Sequence, residues 1–362
     1  MKALPLITLA LAASLAPASA MAYGYYTCNG NKKIKWQAET AHVRHSAVSF
    51  PPGSSYRTAS ADTIDKANQN PSEFRLTRSW DDGSVGVDNG QSEVWFTNKD
   101  FGAPAQAVFQ FAGLFACGNP RFDEVDMRFD AGEVYTSGTT LSNLWGYGGE
   151  RRPYRTTMMH EMGHLMGLAH ENRRYNIMGE DWTHIHADDG VGRAYLGEDA
   201  ANGLVFLYGT VSGAHEDLGV SHWEYKTADG EYSEHKRCGM RAANGTLLDD
   251  WYNNGEIVRR VRRGQTVQVE FTYENNGKSS HTVDIGFYLS ADNDIQSIDT
   301  RIGGWSANLV RDKVATVTRN VTIPVDAPLG YKWLGVIIDE NDDVAEVTGA
   351  NNATYHRIYI DP

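Results

Sequence analysis

His160-Glu161-Met162-Gly163-His164-Leu165-Met166-Gly167-Leu168-Ala169-His170, with Met178 eight residues further on, governs the reading of this chain. Histidines four apart fall on one face of an α-helix, because side chains at i and i+4 stand above one another. Both imidazoles can then reach one metal ion, and Glu161, beside the first ligand, can reach a water in the ion's open position. Gly167 supplies the left-handed residue that ends a helix, so the chain can turn and bring in His170 as a third ligand. Three neutral nitrogens with one position left open suit a catalytic zinc ion rather than a closed structural one.

The extended pattern with its downstream methionine resembles the metzincin clan of zinc endopeptidases, and within it the matrixin branch. The resemblance implies an α+β catalytic domain, a mixed sheet plus an active-site helix. His160, His164 and His170 would be metal ligands, Glu161 the general base, and Met178 an apolar floor beneath the ion that does not ligate it. Astacin and serralysin relatives carry a tyrosine two residues after that methionine. Here the position is Glu180, so no tyrosine ligand is expected. Selectivity would depend on the segment from Gly179 to Gly197, whose Trp182 and Asp188-Asp189 either shape a pocket or form a solvated acidic loop. The Gly- and Asp-rich insert that carries structural zinc and calcium in many matrixins is absent.

The same resemblance extends over roughly Tyr23 to Gly209. Asp123 to Asp130 alternates apolar and polar residues, the mark of a half-buried strand, and is similar to the matrixin strand before the active-site helix. That helix is expected from about Tyr154 to Met166. Leu196 to Gly209 is similar to the closing helix, with Leu204, Leu207 and Tyr208 on one face. Elsewhere the patterns predict a short strand at Lys33–Trp36, a helix over 60–68 capped by Ser60, and strands at Phe74–Ser79 and Glu93–Thr97. Leu144 to Gly149 is read either as a rim beside the substrate or as a plain loop with a packed tryptophan.

From about Asp217 onward the chain is strand-like. Thr266–Tyr273 alternates and runs into the turn Glu274-Asn275-Asn276-Gly277, and strands follow at Val283–Leu289, Val314–Ile323 and Trp333–Ile338. Short strands at regular spacing point to an all-β immunoglobulin-like sandwich. The phrases Tyr273-Glu274-Asn275-Asn276-Gly277, Phe287 to Asp292, Leu329-Gly330-Tyr331, Ile338-Asp339-Glu340 and Asn351-Asn352 resemble the bacterial cell-adhesion-related domain CARDB. That implies a cell-surface or matrix ligand for this half. The expected division is 1–22, 23–211 and 212–362.

Residues 1–22 read as a secretory signal: Lys2, an apolar stretch from Ala3 to Leu15, then small residues that allow cleavage after Ala20 or Ala22. The stretch is too short, and too interrupted by Pro5 and Pro17, for a membrane span of about 20 apolar residues. The mature chain of about 340 residues is long enough for two domains. Its formal charge of −13 becomes −14 when Lys2 leaves, which disfavours nucleic acid and anionic lipid as partners.

Export permits a disulfide, and three cysteines allow one bridge plus a free thiol. Cys28 with Cys117 is the expected pair, since both fall in the catalytic half, although the other pairings stay open. Latency through a thiol on the metal is weighed for Cys28 and for Arg237-Cys238-Gly239, and neither has the propeptide setting. Two further metal readings stand beside ordinary structural ones. His184 and His186 offer two imidazoles, and Asp292, Asp294 and Asp299 offer oxygens to Ca²⁺ without the register of an EF-hand loop. The expectation is a secreted zinc endopeptidase acting on protein or peptide substrates. Its rivals are a secreted binding or adhesion protein with an inactive or structural zinc site, and a metal-dependent hydrolase of non-peptide substrates.

Overall fold

A computed structural model describes residues 23–172, 176–180, 185–221, 238–311 and 314–362. The signal expected at 1–22 lies outside the described residues, as do Tyr175, Trp182, His184 and Arg237. No helix among the described residues is long and apolar enough to cross a membrane.

The N-terminal half is built on a five-stranded mixed sheet. Strand β1 (Thr40–Ser46) is followed by helix α1 (Ser55–Ala67), then β2 (Arg75–Asp82), β3 (Ser92–Thr97), β4 (Ala105–Ala112) and β5 (Arg121–Asp130). Their order across the sheet is β2-β1-β3-β5-β4. The first four run parallel, and β4 lies antiparallel to β5 at the edge. Ala41, Val43 and His45 alternate inward along β1, a period-two signal that the sequence reading passed over. It also passed over β4.

Helix α1 starts earlier than expected. The Ser54 hydroxyl accepts from the Arg57 amide and caps it, so the N-cap is Ser54 rather than Ser60. Ser60 instead sits buried inside the helix and hydrogen-bonds the Tyr154 hydroxyl at 2.8 Å. Tyr154 opens α2 (Tyr154–Leu165), so this bond ties the two helices together under the sheet. The core between them is aromatic and sulfur-rich: Phe50, Phe74, Phe129, Tyr154, Met158 and Met162 are all fully buried. Cys28 and Cys117 form a disulfide, as expected.

A short hairpin, β6 (His186–Asp188) and β7 (Val191–Arg193), leads into α3 (Gly197–Tyr208). Leu204, Leu207 and Tyr208 are buried along one face, in agreement with the pattern read from the sequence.

The C-terminal half is a sandwich of two sheets. One contains β8 (Leu218–Ser221), β9 (Met240–Ala242), and, after β10 (Asp250–Asn253) and β11 (Glu256–Arg262), the long β12 (Thr266–Asn275). The chain continues through β13 (His281–Ser290), β14 (Thr300–Leu309), β15 (Ala315–Thr322), β16 (Gly330–Ile338) and β17 (Ala353–Asp361). Strand β12 pairs with β8 and β9 along one edge and β15 along the other, and the second sheet runs β10-β11-β17-β16-β13-β14. Val267, Val269 and Phe271 from the first sheet meet Ile285, Phe287, Leu334 and Val336 from the second in one core. The four strands predicted here are present: three are longer than expected, and that expected at Val314–Ile323 is a residue shorter at each end. Strands β8 to β11, β14 and β17 were not anticipated.

The halves share a dry contact. Leu141, Leu144, Tyr147, Ile185 and Ala187 pack against Tyr288, Ile295 and Tyr355 of the sandwich. Around it the His186 ring donates to the Asn351 carbonyl at 3.0 Å, and the Asp189 amide donates to the Asn293 carbonyl at 2.8 Å. At its rim the backbones of Gly148 and Gly255 touch, both at positive φ (95° and 82°). A Cβ on Gly148 would lie 2.8 Å from the Asn254 carbonyl oxygen and the Gly255 Cα, with backbone on the other side that cannot rotate away.

Gly148→Ala should therefore destabilise the protein by about 2 kcal/mol or more, read as a lower urea midpoint. An unchanged midpoint would mean the two loops part at no cost. A pH effect follows from His45, which is fully buried between Phe50 and the Trp80 ring, 4.1 Å away, with its Nδ1 proton on the Ser79 carbonyl. Burial lowers its pKa from 6.5 to about 3, against the Ser79 bond, which pulls upward. Between those values the unfolded chain binds the extra proton, so the stability this neutral imidazole contributes is lost on acidification below 6.5, at about 1.4 kcal/mol per pH unit. Urea titrations from pH 7.5 to 4.5 should show a shallower loss in His45→Asn than in the native chain.

Candidate metal centre

Helix α2 ends where its last carbonyls are captured from outside. The Trp36 indole donates to the Leu165 carbonyl and the Tyr208 hydroxyl to that of Met166, both at 2.7 Å. Met166 is the C-cap, and Gly167 follows at φ +106°, the turn read from the sequence. Leu168–Ala169 then pair antiparallel with Gly24–Tyr25. That pairing delivers His170 back toward the helix. It is close enough that a Cβ on Gly24 would overlap the His170 carbonyl oxygen.

The three imidazoles are oriented by their outer nitrogens. His160 Nδ1 donates to the Ile177 carbonyl at 2.6 Å, and His164 Nδ1 to the Leu168 carbonyl at 2.8 Å. His170 Nδ1 lies 2.9 Å from a carboxylate oxygen of Glu180. With each ring's proton committed outward, the three Nε2 lone pairs face one another. His170 Nε2 is 3.2 Å from that of His160 and 3.0 Å from that of His164. Tetrahedral bonds of about 2.0–2.1 Å would set ligand nitrogens about 3.3 Å apart, so the donor set fits a small tetrahedral cation. Among the described residues these three form the one group of His, Cys, Asp or Glu side chains with such mutual proximity.

Protonation is disfavoured at each ring, as ligation requires. Burial lowers His160 to about 4, assisted by the neighbouring His170, and holds His164 well below the ordinary value. His170 is also lowered by burial, against the pull of Glu180.

Glu161 is buried in the wall of the same cleft. Burial pushes its carboxyl up to about 8, against a hydrogen bond from the Ala107 amide that favours the ionised form. A divalent cation among the histidines would lower it again. The cleft, about 560 Å³, runs between α2 and edge strand β4, and is bounded by Tyr26, Ala107, Phe109, Thr157 and Arg152. Met178 packs against Gly163, where any Cβ would overlap its sulfur. The glycine between His160 and His164 is thus what lets the methionine approach the helix.

The structure bears on several alternatives that the sequence left open. Leu144–Gly149 does not line the cleft. Its backbone closes local bridges, and Leu144 and Tyr147 pack into the sandwich contact, so it is a loop, but one in which Trp145 itself is exposed rather than packed. The strand beside the cleft is β4. Asp188-Asp189 does not shape the cleft, because the Asp188 carboxylate accepts the Ile295 amide and Asp189 bonds Asn293, both across the sandwich contact. The His186 ring donates to the Asn351 carbonyl across the same contact, while His184 lies outside the described residues. Cys28 is in a disulfide and Cys238 is buried in the C-terminal half, so neither thiol faces the histidines. Asp292 and Asp299 accept the Asp294 and Gln296 amides, which makes them turn-formers.

Two residues were missed. Glu180 sets the orientation of the His170 ring through its contact with Nδ1, a role that no local pattern in the sequence signals. Tyr26 lines the cleft with its hydroxyl 3.3 Å from His164 Nδ1.

Comparison with solved structures finds similarity, over 41% of this chain, to the CARDB domain of a Pyrococcus furiosus protein. Its crystal structure in complex with di-metal ions has 14% identity and a TM-score of 0.25, with 90% of that chain covered. Its solution NMR structure has 15% identity and the same score of 0.25, with 97% covered. No protein-family model and no curated protein matches the sequence.

If Glu180 holds His170, Glu180→Gln should weaken metal binding about 10- to 100-fold, and His164→Ala should remove stoichiometric binding altogether. Competition with a chromogenic chelator measures both. Equal affinity in Glu180→Gln would separate that carboxylate from the site.

Proposed function

We propose that this chain is a secreted zinc-dependent endopeptidase, matrixin-like within the metzincins, with a C-terminal sandwich that holds it to a cell surface, matrix or large substrate. The observation that carries the reading is the convergence of three Nε2 lone pairs beside a buried carboxylate in an open cleft. His160, His164 and His170 would hold the ion, with its other faces open to the cleft. Zinc, when bound, supplies Lewis-acid polarisation of a carbonyl and lowers the pKa of water toward about 7.

The chain's own residues do the rest. The Glu161 carboxylate accepts a proton from the attacking water and returns it to the leaving amine. Its approach is fixed by the Ala107 amide on β4. Among the described residues strand β4 pairs with β5 on one side only, which leaves its other edge for an extended peptide to pair with through backbone hydrogen bonds. Secretion is supported by the signal-like 1–22 stretch and by the Cys28–Cys117 disulfide, a bond at home in an oxidising compartment.

Zinc-loaded protein should cleave casein or gelatin. Glu161→Gln should keep zinc and fold while losing at least about a hundredfold in kcat. One zinc per chain with no cleavage across a broad peptide library would favour the binding-protein reading. Equal turnover in Glu161→Gln would remove the base.

A further inference from the structure

Tyr26 lines the cleft beside the second helical histidine, its hydroxyl oxygen 3.3 Å from His164 Nδ1. A carbonyl can only accept, so the 2.8 Å contact of that same nitrogen with the Leu168 carbonyl places the imidazole proton on Nδ1. Nδ1 then has no lone pair to offer the phenol and at most shares its N–H with the phenol oxygen. Among the described residues the hydroxyl meets no other partner, so none of them accepts its proton. The group is also held in place from both sides. Gly24–Tyr25 before it pair with Leu168–Ala169, and Thr27–Cys28 after it pair with Lys32–Lys33, with Cys28 bridged to Cys117. The Ile34 amide donates to the Tyr26 carbonyl at 2.8 Å. The ring packs against Phe109 and, edge-on, Phe122, with centroids 4.9 and 5.9 Å away.

We propose that the Tyr26 hydroxyl donates a hydrogen bond to a backbone carbonyl of the bound peptide, an inference that rests on the cleft being a peptide-binding site. A peptide extended along the open edge of β4 turns the N–H and C=O of alternate residues toward the strand, and those of the residues between away from it. The carbonyls turned away face α2 and the Tyr26 end of the cleft, and once shielded from water they need a donor. A phenol already fixed, with a proton to give, supplies one without the cost of ordering a mobile side chain. The strand sets the position. The Ala107 amide bonds Glu161, which places the reacting carbonyl near Ala107. Phe109, two residues and about 7 Å further along β4, lies against the rings of both Tyr26 and His164. The carbonyl that accepts from Tyr26 therefore lies within about two residues of the cut bond, on the Phe109 side.

The test pairs one change in the protein with one change in the peptide. Tyr26→Phe removes the hydroxyl and keeps the ring. In a fluorescein-labelled octapeptide selected for binding from a random library, each amide bond in turn is replaced by an (E)-alkene, which removes C=O and N–H, or by an ester, which removes only the N–H. Affinity is read by anisotropy on the zinc-loaded full chain carrying Glu161→Gln, with and without Tyr26→Phe. Cleavage of the parent peptide is read on the native chain and on Tyr26→Phe alone. Tyr26→Phe should weaken the parent peptide about 3- to 10-fold, with zinc content and circular dichroism unchanged. One alkene should lose a similar factor beyond its matching ester, and that excess should vanish when Tyr26→Phe is added.

Equal affinity in Tyr26→Phe overturns the proposal, as does a loss that no single alkene shares. A Tyr26→Phe chain that no longer holds zinc overturns it too and makes the phenol a support for His164. A fall in kcat with peptide affinity intact puts the hydroxyl on the reacting oxygen and overturns the assignment to a neighbouring carbonyl. Each of these, beside cleavage by the native chain, leaves the peptidase reading intact. Tyr26-dependent binding of one carbonyl, with no cleavage of any peptide by the native chain, supports the proposal and counts against the peptidase. A library without a single binding peptide overturns the proposal and the peptide-binding reading of the cleft together.

Discussion

The whole N-terminal half serves three outward hydrogen bonds. Imidazole has two nitrogens, and which one keeps the proton is decided by the partner of the other. Here the Ile177 and Leu168 carbonyls and the Glu180 carboxylate each take an Nδ1, and that is why three Nε2 lone pairs point at one place. Lone pairs so arranged repel until a cation separates them, and burial prevents the rings from escaping by taking up protons. The capacity of the triad to hold a cation therefore resides in the partners of the outer nitrogens and in burial, not in the histidines alone.

Each of those partners is held by a different part of the fold. Leu168 is placed by its pairing with Gly24–Tyr25, and Ile177 by the turn in which the Asn176 side chain accepts the Met178 amide. Glu180 is placed by the Asn172 side chain, which receives its amide. Helix α2, in turn, is seated on the sheet through Tyr154, Met158 and Met162, leaving His160, Glu161 and His164 for the cleft. The hairpin that follows carries Ala187 and Asp188 into the sandwich contact. The region just beyond the third ligand's support is thus buttressed by the C-terminal half.

What could be read in advance was whatever sits in a local period. The His160–His170 spacing, the glycine turn and the buried face of α3 are all short-range patterns, and the structure brings the three imidazoles together, turns at Gly167 and buries that face. Strands β1 and β4 also alternate, but β1 carries the polar His45 on its inner face and β4 carries small alanines, which blur the contrast. The Leu144–Gly149 stretch left two readings open because a tryptophan in a glycine-rich run suits a rim or a loop alike, whereas Leu144 and Tyr147 answer to a partner more than 100 residues away. Glu180 and Tyr26 could not be ranked from sequence, since their roles depend on which nitrogen of a distant histidine they meet.

The pairing of Gly24–Tyr25 with Leu168–Ala169 has a kinetic meaning as well. Two ligands lie four residues apart on a helix and can form early from local contacts, but the third is fixed only when segments from opposite ends of the N-terminal half have met. Closing so large a loop is slow compared with winding a helix. Convergence of all three imidazoles is consequently a late product of folding, and a cation that needs all three finds its place only once most of the backbone is already buried.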